Sequence, residues 1–206
     1  MVIRGATDLL AEVGDVQALT MRAVAGASGV TPPSVYRHFA DKEALVRTVI
    51  TRRFDEFTGV LHTAAAAAGD EPVSRLEAIS RAYVRWGLEE PGHYRVLFSA
   101  ANAGPAGLRL DDEAEHPGAG SYRMLVEAVT ACLPASRRNA ALPLATELWA
   151  SLHGIVDLRI TKPDIPWPDC SVLTDAALDA VRAAAASADP APSQGTCQWS
   201  SSPSSP

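Results

Sequence analysis

Cysteine is scarce here, and its placement is poor for chemistry. Cys132, Cys170 and Cys197 are the only three in 206 residues, widely separated and never in a CxxC pair. That pattern argues against a structural zinc site and against a disulfide framework, and it reads as free thiols in a reducing compartment. Long apolar runs are also missing; none approaches the roughly 20 residues that cross a bilayer. The opening MVIRGATDLLAEVG interrupts its apolar pattern with Asp8 and Glu12, so it is no secretory signal. A cytoplasmic chain with no membrane partner is expected. Strand signals are nearly absent: there is no sustained alternation of β-branched residues and no Asn-Gly or Asp-Gly hairpin turn. Nor is there a nucleotide-binding glycine loop, an HExxH or a nucleophile elbow. No enzymatic activity, cofactor or metal is therefore expected. The acidic run DDEAEHPG at 111–118 lacks ligand spacing and reads as solvated charge.

Positive charge is in deficit overall, with a net charge of −6, but the distribution is uneven. Residues 1–53 hold seven Lys/Arg against five Asp/Glu, a net of +2; residues 54–206 hold eleven against nineteen, a net of −8. The imbalance is compatible with an N-terminal part that faces nucleic acid. A hydrophobic fraction of 47% suffices for a sizeable core.

What the chain does have is helical spacing. Ile3, Ala6, Leu9, Leu10 and Val13 form one stripe, closed by Gly14. Thr20 is placed to cap a helix reaching about Ser28, with Gly29 at its exit. Thr31 is placed to cap the next, which spans Pro32 to Phe39. Pro32 then falls at the first helical position, where a missing N–H costs nothing. Asp41 caps a long helix to about His62 whose apolar side is Leu45, Val49, Phe54, Phe57 and Leu61. Further helices are predicted over 73–88, briefly within EEPGHYRVLFSAA, over 120–133, over 136–160 with Pro143 offsetting its start or kinking it, and over 172–186. Residues 101–119 read as a loop, and the tail from Asp189 has a disordered composition.

Two short helices joined at a glycine, after a first helix and before a long one, make the arrangement of a helix-turn-helix. Its second helix enters the DNA major groove. In Pro32–Phe39, Val35 and Phe39 share a face able to pack on the other helices, which leaves the opposite face for a partner. Arg37 suits paired hydrogen bonds to a guanine edge. Ser34 and the rings of Pro32 and Pro33 suit base edges or thymine methyls, and Tyr36 and His38 suit phosphate oxygens. Lys42 lies in the first turn of the long helix, whose free N–H groups also favour phosphate. Thr20, Arg22 and Thr31 complete the candidate set. A merely solvated polar face is the competing reading of any one of these residues; the set at this spacing favours DNA.

The segment LTMRAVAGASGVTPPSVYRHFADKEALV resembles the DNA-binding segment of the tetracycline-repressor (TetR) family of bacterial transcriptional regulators. The matching elements are Ala25, the Gly29-Val30 turn, Tyr36-x-His38-Phe39, and Lys42 with Leu45; RGATDLLAEVGDVQALT resembles the family's first helix. The resemblance covers residues 3 to about 50. It implies phosphate contacts for Tyr36 and Lys42, base reading by the short helix, and an all-α dimerisation and ligand-binding region behind it. Family members usually carry a basic arm before the first helix, whereas only Arg4 stands near the start here. Fewer phosphate contacts and a shallower salt dependence are expected.

Within ELWASLHGIVDL, Trp149, His153 and Gly154 resemble the signature of a subgroup named for Trp-His-Gly, and EEPGHYRVLFSA resembles a segment that precedes that subgroup's ligand cavity. Trp149 and His153 are one turn apart and share a face. One reading is a core Trp with a hydrogen-bonded His. The other is a ligand wall in which His153 orients a mostly apolar effector, with Tyr83, Trp86, Tyr94, Phe98 and Leu152 as further lining. The last two long helices are the dimer surface that the resemblance implies. Their small residues, Ala145, Ala150, Ala176, Ala177 and Ala180, permit close packing across a two-fold axis.

The sequence therefore predicts an all-α chain. A helix-turn-helix DNA-binding domain spans 1–50, a helical ligand-binding and dimerisation domain spans 51–188, and a disordered tail spans 189–206. Its expected partners are double-stranded palindromic operator DNA, a second copy of itself as homodimer, and a small-molecule effector. The rival readings are a DNA-binding dimer without an effector and a helical protein interaction module.

Overall fold

The expected stripe forms the first helix. In the computed structural model, which describes residues 1–100 and 117–186, α1 (Val2–Val13) buries Ala6 and Leu10 completely. The chain then turns into α2 (Met21–Ala27), where the Thr20 hydroxyl accepts from the Ala23 amide at 3.1 Å, as its cap position predicts. Gly29 follows with φ +65°, a left-handed conformation that residues with a Cβ adopt reluctantly. It lets the Val30 amide reach back to the Ala25 carbonyl at 3.0 Å and redirects the chain.

Next comes α3 (Pro32–Tyr36), shorter than predicted. Beyond it, the amides of Arg37, His38 and Phe39 still bond back to the carbonyls of Pro33 and Val35. Thr31 occupies the cap position but makes no side-chain cap. The reason lies in the neighbours: Pro32 and Pro33 have no N–H to offer, and the Ser34 amide goes to the Thr31 carbonyl at 2.9 Å. The Thr31 hydroxyl pairs with the Ser34 hydroxyl instead, at 3.0 Å.

The longest element, α4 (Lys42–Ala67), starts on the Asp41 carboxylate, which accepts from the Ala44 amide at 2.7 Å. It runs past the expected end at His62 because alanine, the best helix former, fills the next turn. After it come α5 (Pro72–Glu89), α6 (Pro91–Ala100), α7 (Ala119–Cys132), α8 (Ala141–Thr161) and α9 (Cys170–Ala186). Among the described residues every regular element is helical, and no helix is long and apolar enough to cross a membrane. The single helix predicted over 136–160 divides into a 3-10 turn, Ala135–Ala140, and α8. Pro143 lies in the first turn of α8, where amides have no helical partner to lose. The start of α9 comes earlier than predicted, for Asp169 accepts from the Ser171 amide at 2.7 Å and opens that turn. Most of the predicted 101–119 loop, the acidic run up to residue 116, the tail from Asp189 and Cys197 all lie outside the described residues. Cys132 and Cys170 are free, and burial pushes the Cys132 thiol up to about 11.

One continuous core runs from Ala6 to Ala184, and α4 belongs to both halves of it. Leu45 and Val49 sit beneath the first three helices, while Phe54, Phe57 and Leu61 enter the C-terminal bundle. A second junction links α6 to α1. A Cβ on Gly92 would meet the Ala11 carbonyl oxygen at 2.6 Å, so only glycine permits this approach.

At the far end α9 is held to α5 by charge. Arg182 Nη2 lies 2.5 Å from Glu77 and 3.1 Å from Asp175, and Arg81 lies 2.8 Å from Asp175. The hydrogen bond from Arg182, with that from Arg81, holds the Asp175 carboxyl below its usual 3.8. A carboxyl lowered on folding stabilises above its unfolded pKa and loses that contribution as pH falls through the folded one. Asp175→Asn should therefore flatten the acid side of the stability profile below about pH 4, measured as thermal midpoint against pH.

Candidate nucleic-acid interface and effector site

Val35, with no exposed surface, anchors α3 to the head, and Phe39 packs half-buried beside it. The opposite face is open. Tyr36 is 56% exposed, which decides between an inward and an outward ring. Thr20, Arg22, Thr31, Pro32, Pro33, Arg37 and His38 are exposed as well, and Ser34 is half-buried. All ten predicted contact residues thus lie on the first helices or at the start of α4, and none is in the core.

Lys42 is the least free of the ten. Its Nζ donates to the carbonyls of Val16 and Gln17, each at 3.3 Å. An ammonium has three donors, so one N–H is left over. Lys42 therefore pins the α1–α2 turn to the start of α4, a role that nothing in its sequence position reveals.

The predicted effector residues also converge, though unequally. Tyr83, Trp86, Tyr94 and Leu152 are buried core side chains, at most 8% exposed. Phe98 and His153 are half-buried and Trp149 keeps 37% of its surface, so these three form the open side of the cluster. Ring contacts bind the group together. Phe57 lies 5.4 Å from Tyr83 and 4.8 Å from Trp86. Tyr94 lies 4.5 Å from Phe98, and Trp149 lies 6.2 Å from His153. Two hydrogen bonds run through it: Tyr83 Oη to Tyr94 Oη at 3.0 Å, and Tyr94 Oη to His153 Nδ1 at 2.6 Å. Burial lowers the His153 pKa, more than the nearby Asp157 carboxylate raises it, and burial raises that of both tyrosines.

Three residues outside the predicted effector set join this region. Tyr122 of α7 meets Trp149 at 5.6 Å and bonds Thr146 at 2.8 Å. Phe54 meets Phe98 at 5.9 Å, and the Arg53 guanidinium sits 5.6 Å over the Trp86 ring. A separate cleft of about 320 Å³ lies between the end of α4, the start of α5 and α7. His62, Asp70, Arg75, Met124 and Glu127 are among its walls, and none of the predicted effector residues borders it.

A three-helix head with an outward short helix, carried on an all-α bundle by one long shared helix, defines a helix-turn-helix DNA-binding protein. Residues 2–49 match the family of bacterial regulatory proteins described as the tetR family, and residues 76–181 match the tetracyclin repressor-like C-terminal domain. The chain belongs to the TetR family of transcriptional regulators. Solved structures of low identity share its fold. A protein of unknown function from Rhodococcus sp. RHA1 is 23% identical, with a TM-score of 0.69 over 90% of this chain and 96% of that one. A candidate transcriptional regulator from Pseudomonas aeruginosa PAO1 is 21% identical, with a TM-score of 0.68 over 89% of each chain. A TetR family regulator from Marinobacter aquaeolei VT8 is 18% identical, with a TM-score of 0.64 over 87% and 92%. No match is found among curated proteins.

Proposed function

We propose that the chain is a homodimeric repressor released from a near-palindromic operator by a small, mostly apolar effector. The observation that carries the reading is the outward face of α3, with Tyr36, Arg37 and His38 exposed over a buried Val35. In it Arg37 pairs with a guanine edge, Ser34, Pro32 and Pro33 touch neighbouring base edges, and Thr20, Arg22, Thr31, Tyr36, His38 and Lys42 hold phosphates. Two heads, one per subunit, occupy successive major grooves.

The dimer surface assigned here is the exposed side of α8 and α9. Leu142 and Val172 are large apolar residues left open there, and Ala150, Ala176 and Ala180 are exposed small ones. Ala145 is excluded from that surface, since it is wholly buried in the core. The effector occupies the open side of the aromatic cluster, beside Phe98, Trp149 and His153. Displacing α6 there acts on α1 through the tight contact at Gly92, and displacing α4 acts on the head directly. Either shift moves the heads off the half-site spacing. By linkage, operator and effector then weaken each other by the same factor.

The test is titration of duplex operator by the full chain with and without ligands that demonstrably bind it. Unchanged operator affinity for every such ligand supports the alternative of a dimer without an effector. Lys42→Ala should weaken binding to all duplexes alike and lower the salt slope by about one. It should also speed amide exchange in the Val16–Leu19 turn, because its two carbonyl bonds are lost.

A further inference from the structure

The hydrogen bonds among Tyr83, Tyr94 and His153 have a direction, and the direction identifies a ligand chemistry. Tyr83 is a buried side chain, so its hydroxyl proton needs an acceptor within the protein. The acceptor in reach is Tyr94 Oη at 3.0 Å. Tyr94 in turn has one acceptor left, His153 Nδ1 at 2.6 Å. The opposite direction would leave the Tyr83 proton unpaired on a side chain only 5% exposed, which a buried donor avoids. With Nδ1 accepting, the neutral imidazole carries its proton on Nε2.

That Nε2–H makes no hydrogen bond among the described residues. It sits on a half-buried ring between Phe98, at 5.0 Å, and Trp149, at 6.2 Å. The chain of donors thus ends in a single N–H framed by aromatic faces. One turn further along α8 stands Asp157, half-buried, whose negative charge acts on both His153 and Tyr94. That charge opposes an anionic ligand group at the same place. The N–H has no lone pair to offer, so a donor-only ammonium finds no acceptor on this ring.

We infer that the effector is an uncharged, mostly apolar molecule with a carbonyl oxygen, which accepts the His153 Nε2–H bond while its body lies against Phe98 and Trp149. The inference rests on the effector reading above and adds the chemical class. It also gives the Trp-His pair one shared task, with Trp149 supplying an apolar wall and His153 presenting the donor beside it.

The experiment compares nonan-2-one, nonanoate and nonylammonium, three probes of matched chain length. Each is titrated into the unmutated full chain, read by quenching of tryptophan fluorescence and by thermal shift, and then into the protein–operator complex. The ketone should bind tightest and release DNA. His153→Phe should weaken ketone binding about 3- to 10-fold, the worth of one neutral hydrogen bond. His153→Asn, which keeps an N–H donor, should recover part of the loss. Nonanoate or nonylammonium binding as tightly as the ketone overturns the inference and leaves the effector reading standing if either releases DNA. Equal ketone affinity in the unmutated protein and both His153 variants overturns it too. Failure of all three probes to bind at millimolar concentration overturns the inference, while the effector reading stands or falls on the operator titration.

Discussion

Phe57→Ala is expected to lower folding stability by about 3–5 kcal/mol. Phe57 is 1% exposed and touches the rings of Tyr83, Trp86 and Phe98. Its removal therefore leaves a cavity walled by stiff aromatic side chains that close poorly around it. Because α4 carries both Phe57 and the residues beneath the head, the loss should appear as one transition shared by both halves. The measurement is urea unfolding followed by tryptophan fluorescence and by helical circular dichroism. Coincident curves shifted to lower midpoint are expected. A head that stays folded while the bundle melts would show that α4 does not join them.

Arg37→Ala is expected to weaken binding to the preferred duplex by about 1–3 kcal/mol, or roughly 5- to 150-fold, and to relax the base preference at one position per half-site. Folding stability should hardly change, since Arg37 is an exposed residue just past the end of α3. This is the signature that separates a base reader from a phosphate contact. Equal losses on every duplex sequence would move Arg37 into the phosphate group with Tyr36 and His38. The readouts are competition binding against single-position operator variants and thermal denaturation of the same preparation.

The starts of α2, α3 and α4 were legible in the sequence because they depend on local chemistry. Thr20 and Asp41 cap as their positions predict, and Pro32 opens α3. The stripe of α1 and the apolar side of α4 follow from spacing alone. Thr31 shows where local reasoning runs out, for a cap requires a backbone donor and two prolines had removed it. The 3-10 break before α8 and the alanine extension of α4 are boundary effects of the same kind.

Long-range pairings were not legible, because nothing in a single sequence marks them. Arg182 and Glu77 are 105 positions apart and joined only by the fold. Lys42 matches the position of a phosphate contact, yet it also holds the carbonyls of Val16 and Gln17. Ala145 reads like its exposed neighbours but faces inward. The aromatic cluster was legible as a set of residues, not as a network. Spacing put Trp149 and His153 on one face, but only the fold brought Tyr83, Tyr94 and Tyr122 to them. The two readings of that pair also merge here: His153 is hydrogen-bonded as a core residue is, while the surface of Trp149 stays open as a ligand wall does.

Selection of bound sites from random duplex DNA by the full chain bears most directly on the claim that α3 of two paired subunits reads a symmetric site. The account predicts enrichment of an inverted repeat whose half-sites lie about one helical turn apart, centre to centre. Recovery of no preferred sequence, or of a single unpaired site, would contradict it.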